Sequence, residues 1–125
     1  MARDTETAYV SKIKGLAVET WEYNGATLFV VKYNQGRTYP GYNGHYCGYC
    51  TLPKPLSVKD HEDVDMSIGV HGGITFFSDD RMTYGFDCNH WGDSDIGSAT
   101  KNIDWVKAET ERMADQLISR IPQGA

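Results

Sequence analysis

The chain has 125 residues, 40% hydrophobic and 23% charged, with three Trp and eight Tyr; this fits one self-sufficient globular domain over residues 1–125 and excludes a disordered chain. A formal net charge of -5, with twelve Lys and Arg scattered along the chain, argues against binding of DNA, RNA or an anionic membrane, which needs dense basic patches. The longest apolar run, ATLFVV, is far short of the roughly 20 residues that cross a bilayer, and MARDTETAYVSK has no signal-peptide core, so a cytoplasmic location is expected.

Taken in order, GLAVETWEY and ATLFVVKY are β-rich runs joined by Asn24-Gly25, the strongest short-range signal for a tight hairpin. NQGRTYPGYNG, residues 34–44, reads as an aromatic, glycine-rich loop, and HYCGYCTL as a third strand ended by Pro53 and Pro55. The stretch DHEDVDMSIGVHGG alternates as a strand does, with Val64, Met66, Ile68 and Val70 on one face and Asp63, Asp65, Ser67, Gly69 and His71 on the other. After a turn at DDRM, TYGFDC repeats the pattern, with Tyr84, Phe86 and Cys88 opposed to Thr83, Gly85 and Asp87.

If both apolar faces cover one core, His71 and Asp87 project from a shared polar face. Gly69 and Gly85 then leave room beside them, as glycine inside a strand often does. VHGGITFFSDDRMTYGFDCNHWGDSD thus reads as the floor of a cavity. From Ile103 the apolar positions 103, 106, 110, 113, 114, 117 and 121 follow helical spacing, so a helix is predicted over residues 100–121. Thr100 or Asn102 caps its start and Pro122 limits its end. The expected fold is α+β, a mostly antiparallel sheet with a C-terminal amphipathic helix packed on it.

Three constellations carry chemistry. Asp87, His90 and Asp93 stand three apart, with His71 brought near by the sheet, and two imidazoles with two carboxylates suit Zn or Mn. The spacing is no specific motif, and polar turn residues bonded to the backbone look the same. A second set, Cys47, Cys50, Cys88 and His90, has zinc-ligand chemistry, yet YCGYC reads more like a strand than a knuckle. No metal or other cofactor is therefore assigned, and three cysteines, an odd number, suit free thiols in a reducing compartment.

Without a metal, His71 and His90 form a general acid and base, with Asp87 fixing one imidazole's tautomer. Such a pair moves a proton from a ribose 2'-hydroxyl to a leaving oxygen and opens a phosphodiester; the same side chains equally well only bind a ligand. Cys88 is a buried small residue by its parity. The third constellation is Tyr33, Tyr39, Tyr42 and Tyr46 around Arg37, where aromatics stack on bases and the guanidinium forks onto phosphate. The plainer reading is that loop tyrosines cover apolar surface with their hydroxyls in water.

HEDVDMSIGVHGGITFF, YGFDCNHWGDSD and WVKAETERMADQL together resemble a family of small, mostly uncharacterised proteins of bacteriophages and their bacterial hosts. Its members share a DVD…HGGxTF block, a GFDCxHxxD block and a closing VxxExERLAxQL helix. The resemblance spans roughly residues 45 to 120; the family usually has CGYV where this chain has CGYC, which weakens the zinc set. It keeps Asp65, His71, Gly72, Gly73, Asp87, His90 and Asp93 as site positions. By analogy of size, source and pocket chemistry, it implies an anti-defence protein that removes a nucleotide immune signal in the host cytoplasm.

The resulting expectation is a protein that binds and sequesters a cyclic dinucleotide or cyclic ADP-ribose type of ligand over His71 and Asp87. His90 and Asp93 bond ribose or base edges, Arg37 meets a phosphate, and Trp91, Tyr39 or Tyr42 stacks on a base. Gly72 and Gly73 bring backbone N–H groups to an anion, and sheet edges favour a homodimer. One alternative is a phosphodiesterase using His71 and His90; a further one is an inhibitor that meets a protein partner with its acidic surface.

Overall fold

Asn24 and Gly25 both take positive φ, 50° and 88°, the backbone that a two-residue hairpin turn requires. They join β1 (Glu19–Tyr23) to β2 (Ala26–Tyr33), with Tyr23 opposite Ala26. The structure is a computed structural model and describes residues 2–33, with the backbone alone over 2–8, then 44–88 and 102–122. Strand β3 (His45–Thr51) pairs with β2, and β5 (Thr83–Asp87) with β3; the short β4 (Phe76–Phe77) closes the far edge. The sheet order is β1-β2-β3-β5-β4, and every pairing is antiparallel.

Strand parity divides the apolar side chains between two faces. Ala26, Leu28, Val30, Cys50, Tyr84, Phe86 and Cys88 share one core with helix α4 (Ile103–Ile118), which contributes Val106, Met113, Ala114 and Leu117. Phe29, Val31, Cys47 and Tyr49 point the other way, toward Ile13 of α1 (Ala2–Gly15). The fold is α+β, with the C-terminal helix on the sheet as the apolar spacing predicts. Asn102 caps that helix, its Oδ1 accepting from the Asp104 N–H at 2.8 Å; Thr100 lies outside the described residues. The sequence reading assigned no helix at the N-terminus and began its first strand at Gly15, where α1 in fact ends.

The alternating stretch 60–73 is not a strand. It forms α2 (Val58–Glu62), the single turn α3 (Val64–Ser67) and a return to β4 that reverses at Gly72 and Gly73. Ser57 starts it, accepting from the Asp60 N–H at 3.1 Å as a helix cap. Val64 and Ile68, four apart, are buried, whereas Met66, which alternation put with them, is 88% exposed. A period of four therefore prevails over the apparent period of two. The turn at DDRM does form: Arg81 sits at φ 63° with its Nε donating to Leu56 O at 2.8 Å, and Asp80 accepts from the Met82 N–H at 3.0 Å. Among the described residues no helix is long and apolar enough to cross a membrane.

Helix α4 meets the sheet at Gly48, where an added Cβ would collide with Thr110 Oγ1 and lie 2.5 Å from Phe86 Cε1. Gly48→Ala is expected to destabilise the fold by about 2 kcal/mol, the usual cost of overpacking a filled core. Gly69→Ala serves as the control, because its nearest new neighbour is 3.7 Å away. Thermal melts of the two variants should show a clear loss in the first and a small change in the second.

Candidate functional site

His71 and Asp87 do not share a face. The His71 N–H donates to Glu109 Oε2 of α4 at 2.7 Å, and its ring stands edge-on to Trp105, centroids 5.5 Å apart. Asp87 pairs with Cys47 and has the parity of Gly85, whose absent Cβ would meet the Tyr49 ring at 2.6 Å on the α1 side. The space that glycine was expected to leave at 85 is thus filled by an aromatic ring. The other expected gap, at Gly69, is spanned by Gln116: its Oε1 accepts from the Gly69 N–H and its Nε2 donates to Gly69 O, both at 2.7 Å.

The whole segment 67–71 is docked on α4 through its backbone, since Arg120 Nη2 also donates to Ser67 O at 3.1 Å. Glu109 is the centre of this docking. Its side chain is buried, and Arg112 binds it in a fork at 2.9 and 2.7 Å. Burial alone would raise the Glu109 carboxyl, but the hydrogen bonds from Arg112 and His71 outweigh it and hold the group below its ordinary range. Gly72 and Gly73 follow with φ of 68° and 85°, and the Gly73 N–H donates to Val70 O at 2.8 Å. The glycine pair makes a tight turn here, and one of the N–H groups expected to meet an anion is already bonded within it.

The zinc set built on Cys47, Cys50 and Cys88 does not assemble. Cys47 lies on the α1 face and the other two on the α4 face. All three are buried free thiols, and burial pushes both Cys47 and Cys50 up to about 12, which removes them as nucleophiles. Among the described residues no group of three or more His, Cys, Asp or Glu is placed to hold a metal. Arg37, Tyr39, Tyr42, His90, Trp91 and Asp93 lie outside the described residues.

Two places have the make-up of a ligand site. At one end of the sheet Tyr33 and His45 are cross-strand partners with rings stacked at 5.7 Å, and the Tyr33 hydroxyl is 3.3 Å from that of Tyr49. Asp87, opposite Cys47, is the diagonal neighbour of His45 on the same face. Strand β2 ends at Tyr33 and β5 ends at Asp87, both at this end of the sheet. On the other face Lys32 Nζ lies 5.7 Å from the Tyr46 ring centre. The second place is a half-open cleft of about 310 Å³ lined by His61, Glu62, Val64, Asp65 and Phe77.

Of the residues singled out from sequence, Asp65 falls at the cleft, Asp87 at the sheet end and His71 against α4. The sequence reading missed His45, His61, Phe77 and Glu109. Only the Ser57-x-x-Asp60 pattern, a helix-start signal, could have turned His61 and Asp65 from a strand toward a helical wall.

Glu109 gives a pH-dependent expectation. Its folded carboxyl titrates below the unfolded one, so its stabilisation is complete above about pH 4.5 and is lost as pH falls through the folded value. Glu109→Gln is expected to cost about 1–2 kcal/mol near neutrality. Thermal melts at stepped pH should show the gap between variant and wild type shrinking as the solution becomes more acid than that.

No family model, no curated protein and no solved structure matches the chain, so the reading of its function rests on the geometry of these sites.

Proposed function

We propose that this protein binds and sequesters a small nucleotide-derived ligand, of the cyclic dinucleotide or cyclic ADP-ribose type, at the end of the sheet built by Tyr33, His45 and Asp87. The observation that carries the reading is the Tyr33–His45 ring pair at the end of β2, on the same sheet face as Asp87 at the end of β5. Stacked rings suit a base whatever its identity, because every base has a π-face. A carboxylate one diagonal step away accepts from ribose hydroxyls or an exocyclic amine.

In sequence, the stretches that follow β2 and β5 carry Arg37, Tyr39, Tyr42, His90, Trp91 and Asp93, whose side-chain types are those of nucleotide contacts. An anti-defence role, by resemblance to small phage proteins, is the setting in which sequestration of such a signal makes sense. Binding is favoured over cleavage by one feature. An acid–base pair oriented by Asp87 needs His71 on the Asp87 side, and His71 is docked by its backbone on the α4 side instead.

The test is to incubate the pure protein with a panel of cyclic dinucleotides and ADP-ribose derivatives, filter, and chromatograph the filtrate before and after heat denaturation. One compound should vanish and return intact. Its return as a linear product would make the protein an enzyme, and a panel left untouched would end the nucleotide reading. His45→Ala is expected to weaken capture about tenfold, the loss of one stacking surface, while His71→Ala leaves it nearly unchanged.

A further inference from the structure

The geometry points to a second, separate site: the cleft between α2, α3 and β4 binds an aliphatic di- or polyamine. His61 is fixed as one wall, its Nδ1 2.7 Å from the hydroxyl of the fully buried Tyr84. Phe77 stands edge-on to that imidazole, centroids 5.3 Å apart and planes at 82°, yet remains 54% exposed on the edge strand. An aromatic ring of this kind, half open to water beside a cavity, is an apolar surface without a cover. Val64 supplies the remaining apolar lining, and Glu62 and Asp65 are the carboxylates at the rim.

Size and charge select the occupant. A volume of about 310 Å³ is at the lower limit of small-molecule pockets, which run from about 300 to 1,000 Å³, and suits a slender ligand. Between residues 58 and 82 the chain carries Asp60, Glu62, Asp63, Asp65, Asp79 and Asp80 against Lys59 and Arg81. Lys59 is paired with Asp63 at 3.5 Å and Arg81 is engaged with Leu56 O. An anion is therefore repelled, whereas a cation gains from the two rim carboxylates and from the face of an exposed ring. A molecule with ammonium groups on an alkyl chain matches all three parts: methylenes against Phe77 and Val64, and charges toward Glu62 and Asp65.

The test is titration of the full chain with spermidine, followed by amide proton–nitrogen NMR, with glutarate as a dianion of similar build. Saturable shifts confined to residues 61–65 and 77, absent with glutarate and weakened by added salt, are the expected result. Phe77→Leu keeps apolar volume but removes the ring and should lower affinity about threefold; Asp65→Asn, on an exposed side chain, should lower it by a similar factor. Circular dichroism checks that both variants are folded. Absence of shifts, equal shifts with glutarate, shifts spread over the whole acidic surface, or a folded Phe77→Leu variant that binds as well as wild type would each overturn the proposal. Nucleotide capture at the sheet end is read separately by filtration, so either site can fail alone.

Discussion

Helix α4 rests on the middle of the sheet at a residue that has no side chain. The contact of Gly48 with Thr110 and Phe86 lets the helix axis come close enough for Val106, Met113, Ala114 and Leu117 to be excluded from water. The Thr110 hydroxyl is satisfied by Val106 O at 2.7 Å, within its own helix, so this polar group enters the core without an orphan bond. With α4 fixed there, its two flanks become fixed instruments. One flank holds β1: Glu111 accepts from Trp21 Nε1 at 2.9 Å, Asp115 from the Tyr23 hydroxyl at 3.1 Å, and Lys107 pairs with Glu19.

The other flank holds the backbone of the return segment 67–71 through Glu109, Gln116 and Arg120, with the His71 ring edge-on to Trp105. This mode of docking gives the main chain of the segment its polar partners. A loop laid on a helix needs donors and acceptors to satisfy its main chain, and those partners come from the helix. His71 takes part through its N–H, and Gly72 and Gly73 allow the chain to reverse after it. The HGG motif thus has a part in the architecture, as the docking point and the reversal of the chain.

Elements with one strong local signal were legible in the sequence. Asn24-Gly25 set the first hairpin, the spacing from Ile103 set α4, and the parity of TYGFDC put Tyr84 and Phe86 in the core. Two segments were not. Residues 60–73 obey both a period of two and, at Val64 and Ile68, a period of four, and only the Ser57 cap distinguishes them. Helix α1 has few apolar residues and is held by Ile13 against the second sheet face, a tertiary effect that no local pattern announces. The error about residues 60–73 propagated to the site: a strand there puts His71 beside Asp87, whereas a helix pair and a turn carry it to α4.

The charge of the chain then has to be considered by place and not as a sum. A net charge of -5 as a sum disfavours a phosphate ligand, but between residues 58 and 82, around α2, α3 and the turn after β4, six carboxylates stand against Lys59 and Arg81. Cys50, opposite Tyr84 and so level with His61, stands five positions along β3 from His45, about 17 Å at roughly 3.4 Å per residue. That exceeds the Debye length of about 8 Å at physiological salt. Potential at the cleft is therefore screened from the sheet end, where Asp87 is the sole carboxylate that β2, β3 and β5 contribute. An acidic protein can in this way present one surface that attracts a cation and another, a screening length away, that does not repel an anion.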